Sequence, residues 1–287
     1  MRLSGMRTLL LTPVLLATLF TAVSGAAPDG AAIAHPKAPD KVVLRVISGG
    51  GFVAVQFNLR LLPSFTLYGD GTVIVPGAIT MIYPGPAIVP LVRSKLGERE
   101  VQALLARAKA AGLLTPGRVD YGDMGTVGIS DAPTTALTIN AGGKHIVRSA
   151  YALGISAPSN RMPAKVAAAR KALAGFIAKL PSSHRGALWA PNGLAVYAAP
   201  FTGEQQKGAK PVVWPLTRNL ATAGKRESNG LPYRCMTVTG PAAKTLLVSL
   251  HKANEQTQWI MRGEPAKPYQ LIVRPLLPDQ RDCTPLG

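Results

Sequence analysis

Between Thr134 and Tyr151 two β-prone runs, Thr134 to Asn140 and Lys144 to Tyr151, are split by Ala141-Gly142-Gly143. Paired glycines supply the positive φ that tight hairpin turns require, so the two runs are expected to fold back on each other as antiparallel strands. The same logic holds in the stretch FTLYGDGTVIV, where Phe65 to Tyr68 and Thr72 to Val75 flank Asp70-Gly71. Asp-Gly between β-prone runs is the strongest short-range hairpin signal, so Asp70 and Gly71 are read as a turn rather than as functional residues.

The rest of the chain is read around these two fixed points. With 287 residues and 47% apolar content against 16% charged, the chain can bury a substantial core, as one large domain or two small ones. Its 29 glycines and 25 prolines fall in short clusters between periodic segments, which implies many turns. Val42 to Ile47 is expected to be a strand, and so is Phe52 to Leu59 after the Gly49-Gly50-Gly51 break, although its alternation is imperfect. Tyr83 to Pro90 holds three prolines and reads as an extended loop.

A helix is expected to start at Gly97, with Leu96 and Val101 as a hydrophobic staple, Glu98 and Glu100 at the positive end of the dipole, and Gly112 as its stop. A second helix runs from Pro163 to Lys179, with Val166, Ala169, Leu173, Phe176, Ile177 and Leu180 on one side. Beyond it, Gly193 to Ala199, Pro211 to Leu216, Tyr233 to Thr239, Thr257 to Met261 and Tyr269 to Arg274 are strand candidates, and Pro241 to Ala253 is a helix. The expected class is α+β: two halves of antiparallel strands and hairpins, each packed with a helix, and a further helix between them. Residues 28–40 read as a flexible lead-in, 41–181 as the N-terminal half and 182–287 as the C-terminal half. Strands, helix and hairpin occur twice, as an old duplication would leave them, but the halves are too dissimilar in sequence to count as a repeat.

Residues 1–27 carry the three parts of a secretory signal: Arg2 and Arg7, the apolar run Thr8 to Val23, and the small residues Ser24-Gly25-Ala26-Ala27. The run is short for a membrane span and Pro13 interrupts it. Export to the medium or the extracytoplasmic envelope is therefore expected. In such a compartment the two cysteines, Cys235 and Cys283, favour a disulfide that pins the C-terminal tail to the body.

The formal charge is +18, and from Ala132 to Gly203 there is no carboxylate, while Lys144, Arg148, Arg161, Lys165, Arg170, Lys171, Lys179 and Arg185 lie there. Such a run is read first as a solvated helix face and second as attraction to an anionic polymer or membrane surface. Export and the lack of a nucleic-acid module argue against nucleic acid as the partner. Asp120, Asp123 and Asp131 form the only carboxylate cluster in a glycine-rich loop, but their spacing matches no calcium loop, and Asp and Gly are ordinary turn formers. Ser249 to Lys252 matches S-x-x-K without the companion elements of the serine enzymes that use it. His35, His145, His184 and His251 are too scattered for a zinc site. No catalytic residue, metal or cofactor is expected.

Several strings occur together: LPSFTLYGDGTVIVPG, YPGPAIVPL, DAPTT at Asp131 to Thr135, YALG at Tyr151 to Gly154 and VRPLLPDQRDC at Val273 to Cys283. In these the chain resembles a family of uncharacterised exported proteins of actinobacteria. The resemblance implies export and brings no catalytic residue or cofactor. The resulting expectation is a non-enzymatic binding module of the cell envelope. A hydrolase using the Asp120, Asp123 and Asp131 loop, or a secreted inhibitor presenting Tyr83 to Pro90, is the alternative.

Overall fold

The computed structural model describes residues 31–80, 82–122, 128–155, 162–181, 186–203, 210–227 and 230–286. The expected signal segment therefore lies outside the described residues, as do Asp123, Arg161, His184 and Arg185. The glycine-paired hairpin forms: β6 (Thr134–Ala141) and β7 (Lys144–Tyr151) pair antiparallel from Thr134 opposite Tyr151 to Ala141 opposite Lys144. Gly142 and Gly143 have φ of 59° and 69°, the left-handed pair of a type I′ turn. The second hairpin joins β2 (Phe65–Tyr68) to β3 (Thr72–Pro76) through three residues, of which Gly71 has φ 84°. A side chain at Gly71 would place its Cβ 2.2 Å from the Leu96 carbonyl oxygen, so only glycine fits there.

Both hairpins belong to one sheet. It also takes in β1 (Val42–Gly49), β4 (Leu91–Lys95), β5 (Gly117–Asp120) and β8 (Ala187–Trp189), in the order β5-β7-β6-β1-β2-β3-β4-β8. Helices α2 (Glu98–Ala110) and α3 (Ala164–Ile177) cover one face, where Val101, Leu104 and Leu105 of α2 and Leu173 and Phe176 of α3 pack on Val43, Leu67, Leu137 and Ile139. Side chains of this size each contribute about 2 kcal/mol when fully buried, so this layer is the main stabilising contact of the first sheet. At the start of α2 the Gly97 N–H donates to Glu100 Oε2 at 2.7 Å, the half of a capping box that a glycine N-cap can make.

The second sheet contains β9 (Gly193–Pro200), β10 (Val212–Val213), β11 (Lys225–Arg226), β12 (Arg234–Thr239), β13 (Trp259–Met261) and β14 (Glu264–Pro275), in the order β10-β13-β14-β9-β12-β11. Helix α4 (Gly240–Leu250) sets Leu246, Leu247 and Leu250 against Leu194, Val196, Met236 and Trp259 on one face. The fold is thus α+β, with mainly antiparallel sheets that each end in a parallel pair, β5 with β7 and β10 with β13. The two chain paths differ. The hairpin after α2 sets its first strand, β6, beside β1, whereas the one after α4 sets its second strand, β14, beside β9. From Ile33 onward the described residues form one compact unit.

Two local expectations are corrected. Phe52 to Leu59 is not a strand: it contains α1 (Val55–Leu59), a single short helix that reaches no sheet edge. Its imperfect alternation is the reason, since of its described side chains only Leu59 is buried, among Ala195, Tyr197 and Ile272 of the second sheet, while Phe57 is exposed. The basic run is not simply a solvated face either. Arg148 and Arg170 are buried, and their guanidinium groups hold backbone carbonyls rather than carboxylates. Arg170 donates to Tyr121, Tyr151 and Ala152 oxygens at 2.8, 2.7 and 3.1 Å. Arg148 bonds the carbonyls of Thr115, Gly117 and Val147, which fixes the lead-in to edge strand β5. A rigid planar fork with five donors suits this task better than a lysine would.

Candidate functional site

After β14 the chain does not end on the sheet edge but runs back as a strap, residues 276–286, that fastens to both sheets. Leu277 is buried among Tyr68, Ile74 and Leu91 of the first sheet. Asp279 Oδ1 accepts from Arg45 Nη2 at 2.7 Å and from the Tyr68 hydroxyl at 2.8 Å. On the second sheet, Cys283 forms a disulfide with Cys235 of β12. The Cys283 carbonyl also accepts from the Tyr197 hydroxyl at 2.8 Å and from Arg274 Nη2 at 3.3 Å.

These fastenings are electrostatically coherent. Burial would raise the Asp279 pKa, but the bond and charge of Arg45 and the Tyr68 hydroxyl outweigh it and hold the carboxyl below its ordinary range. Tyr68 moves the other way, upward, through burial and then the Asp279 charge, so it remains a donor. Burial likewise raises Tyr197, the donor to the Cys283 carbonyl.

The strap forms one wall of a groove of about 580 Å³ between the sheets. Gln280 and Arg281 come from the strap, Asp70, Thr72 and Arg93 from β3 and its neighbours, Trp189 from β8, Asn192 from the crossing to the second sheet, and Thr239 and Gly240 from the start of α4. Asp70 is already engaged: its oxygens accept from the Thr72 N–H and hydroxyl, both at 2.9 Å, and from Lys95 Nζ at 2.8 Å. Partial burial pushes its pKa up, the Lys95 and Thr72 bonds push it down further, and the net shift is downward, so it stays an ionised acceptor.

Arg93 is different. It is exposed on β4 and enters none of the ion pairs among the described residues. The first turn of α4 adds positive potential: it holds no acidic residue, and Thr239 gives it no side-chain cap. Arg281 shares its charge with Asp40 at 3.3 Å, with the arginine side chain largely in solvent and the aspartate partly so, so that pair contributes little. The groove therefore offers one half-buried indole, several amide and hydroxyl groups, and a surplus of positive charge. Such a surface can stack on a ring, hydrogen-bond hydroxyls and attract an anion.

The carboxylates singled out in the sequence lie elsewhere. Asp120 ends the edge strand β5, is exposed and accepts from the Ser149 hydroxyl at 3.1 Å. Asp131 is exposed at φ 60°, in a bend whose neighbours are tied by the Tyr151 hydroxyl, which donates to the Ile129 carbonyl and accepts from the Ala132 N–H, both at 3.0 Å. Neither lines the groove. Among the described residues no group of three or more His, Cys, Asp or Glu is placed to hold a metal ion. His35 is buried against Glu98 and the Pro36 carbonyl, His145 bonds Asn140, and Ser249 sits in the last turn of α4. The Tyr83 to Pro90 loop is tied down at Gly85 and Ala87, although Tyr83 itself is exposed. It pairs with the loop after α4 through Ala87 N–H to Ala253 O at 3.1 Å and reciprocal bonds between Gly85 and Glu255 at 2.9 and 3.0 Å.

Sequence reasoning missed Arg93, Trp189, Asn192 and the strap's Gln280 and Arg281. No spacing links them; only the sheet order brings β3, β4 and β8 together and lays the strap beside them. Compared with protein-family models, curated proteins and solved structures, the chain matches none. Among the described residues, no helix is long and apolar enough to cross a membrane.

Proposed function

We propose that this is an exported, non-enzymatic binding module of the bacterial cell envelope that holds an anionic glycopolymer in the groove under its C-terminal strap. The observation that carries the reading is the placement of Arg93, free of ion pairs among the described residues, in one groove with Trp189, Asn192 and Gln280. A sugar ring would stack on the indole, its hydroxyls would meet the amides, and its carboxylate or phosphate would meet the guanidinium and the start of α4. Export is supported by the N-terminal segment and by the disulfide, which suits an oxidising compartment. The sequence resemblance to exported actinobacterial proteins points the same way.

Calorimetric titration tests the reading with an acidic uronate oligosaccharide and with a neutral one of equal length. The acidic ligand should bind with an affinity that falls as salt rises, and Arg93→Ala should weaken it by about tenfold, the loss of one charge-assisted contact. Equal binding of both ligands, or an unchanged affinity in Arg93→Ala, would remove the groove from the account.

A further inference from the structure

A second surface lies away from the groove and is apolar. The segment after β1 begins with Gly50 and Gly51, both at φ 82°, and leaves Phe52 92%, Val53 45% and Phe57 55% exposed. The loop after β3 leaves Ile82 68% and Tyr83 78% exposed. Single exposed apolar residues are ordinary, but five large ones on two adjoining segments are not.

One carboxylate holds the two segments together. Glu255 Oε2 accepts from Arg60 Nη1 at 2.6 Å, and its Oε1 accepts from the Gly85 N–H at 3.0 Å. The Gln256 side-chain amide also bonds the Tyr83 hydroxyl. Phe57 stands three residues before Arg60 and Tyr83 two residues before Gly85, at most about 11 and about 7 Å of chain respectively. The Glu255 contacts thus set the two segments side by side, and together they form a rim. His251 and Lys252, exposed at the end of α4, adjoin the loop that carries Glu255, whose own charge Arg60 offsets.

We infer that this rim is a docking surface for an anionic phospholipid bilayer, entered by Phe52, Phe57 and Ile82, with Tyr83 at headgroup depth and Lys252 against the lipid charge. The charge match decides the occupant. A chain whose full sequence carries a net charge of +18, and which presents aromatic and aliphatic side chains beside the exposed Lys252, has the two signals that peripheral membrane binding uses, while a second copy of the same basic chain would meet like charge. Aromatic rings with a polar tip favour the membrane interface, which suits Tyr83. The surface is separate from the groove and does not depend on what the groove holds.

Co-sedimentation of the protein with vesicles of equal parts phosphatidylglycerol and phosphatidylcholine, and with pure phosphatidylcholine vesicles, tests the inference. The wild type should partition to the anionic vesicles only. The double variant Phe52→Ser/Phe57→Ser should lose about tenfold or more in partitioning while keeping its thermal midpoint and its acidic-oligosaccharide affinity. Exposed as these rings are, the substitutions should not disturb folding, and Tyr83→Ser provides an independent second probe. Equal partitioning of variant and wild type, no partitioning of the wild type, or a wild-type dimer in sedimentation velocity that the double variant abolishes would each overturn it. Loss of oligosaccharide binding in Arg93→Ala with vesicle binding intact would show that the two surfaces act separately.

Discussion

The carboxylate of Asp279 lies 2.7 Å from the guanidinium of Arg45, across 234 positions of chain. Arg45 sits on β1 and Asp279 on the strap, so this pair, with the Tyr68 hydroxyl, fastens the strap to the first sheet. Their side chains are only 13% and 21% exposed, so the attraction is weakly screened.

Replacing Asp279 by Asn should therefore cost about 2–3 kcal/mol, the loss of a charge-assisted pair that leaves a buried cation short of its partner. The pH dependence follows from the lowered folded-state pKa of Asp279. Its contribution is complete above the unfolded value of about 3.9 and disappears as pH falls through the folded value. Denaturant titrations at stepped pH should show an acid limb in the wild type that is shallower in Asp279→Asn. Parallel limbs would contradict the assignment.

The disulfide fastens the other end of the strap to the second sheet. On the chain-entropy account, closing the loop from Cys235 to Cys283, 48 positions apart, is worth about 4 kcal/mol. Cys235→Ala/Cys283→Ala should lower the denaturant midpoint accordingly. Because Gln280 and Arg281 lie on the strap, the variant should also bind acidic oligosaccharide more weakly under conditions where it is still folded.

Arg170 is a strut. Arg170→Ala would remove the guanidinium from the carbonyls of Tyr121, Tyr151 and Ala152, of which Ala152 keeps the Ile155 N–H at 3.3 Å, and open a void at α3, for a loss of about 3 kcal/mol. Arg170→Lys should recover only part of this, because an ammonium cannot span three oxygens as the planar fork does. Full recovery by lysine, read from thermal unfolding, would mean that charge and not geometry matters there.

Asp120→Asn and Asp131→Gly should each change stability by no more than about 0.5 kcal/mol, as exposed turn and edge positions do. They should also leave oligosaccharide affinity unaltered. A variant that lost hydrolytic activity present in the wild type would restore the loop as a catalytic site.

How far the sequence reveals this molecule depends on how local the cause is. Gly142-Gly143 and Asp70-Gly71 dictate their turns through backbone sterics alone, and Gly97, Glu100 and Gly112 bracket α2 by the same kind of local chemistry, so these elements are legible without the fold. The short strands β4, β5, β8 and β11 are not, since two to five residues carry too little periodicity and their pairing is decided by distant partners. Arg170 reads as a surface cation on a helical wheel because the carbonyls that receive it belong to other segments. The disulfide is legible from cysteine count and expected compartment. The groove is not, since Arg93, Trp189 and Gln280 meet only after both sheets and the strap are in place.

The groove can be watched directly through its indole. The chain has three tryptophans; Trp214 and Trp259 are 3% and 1% exposed and packed edge to face in the core of the second sheet, which leaves Trp189 as the one beside the groove. Tryptophan fluorescence during titration with an acidic oligosaccharide should change saturably in the wild type, weaken about tenfold in apparent affinity in Arg93→Ala, and vanish in Trp189→Phe. A saturable change that persists in Trp189→Phe, or no change at any ligand concentration in the wild type, would contradict the account.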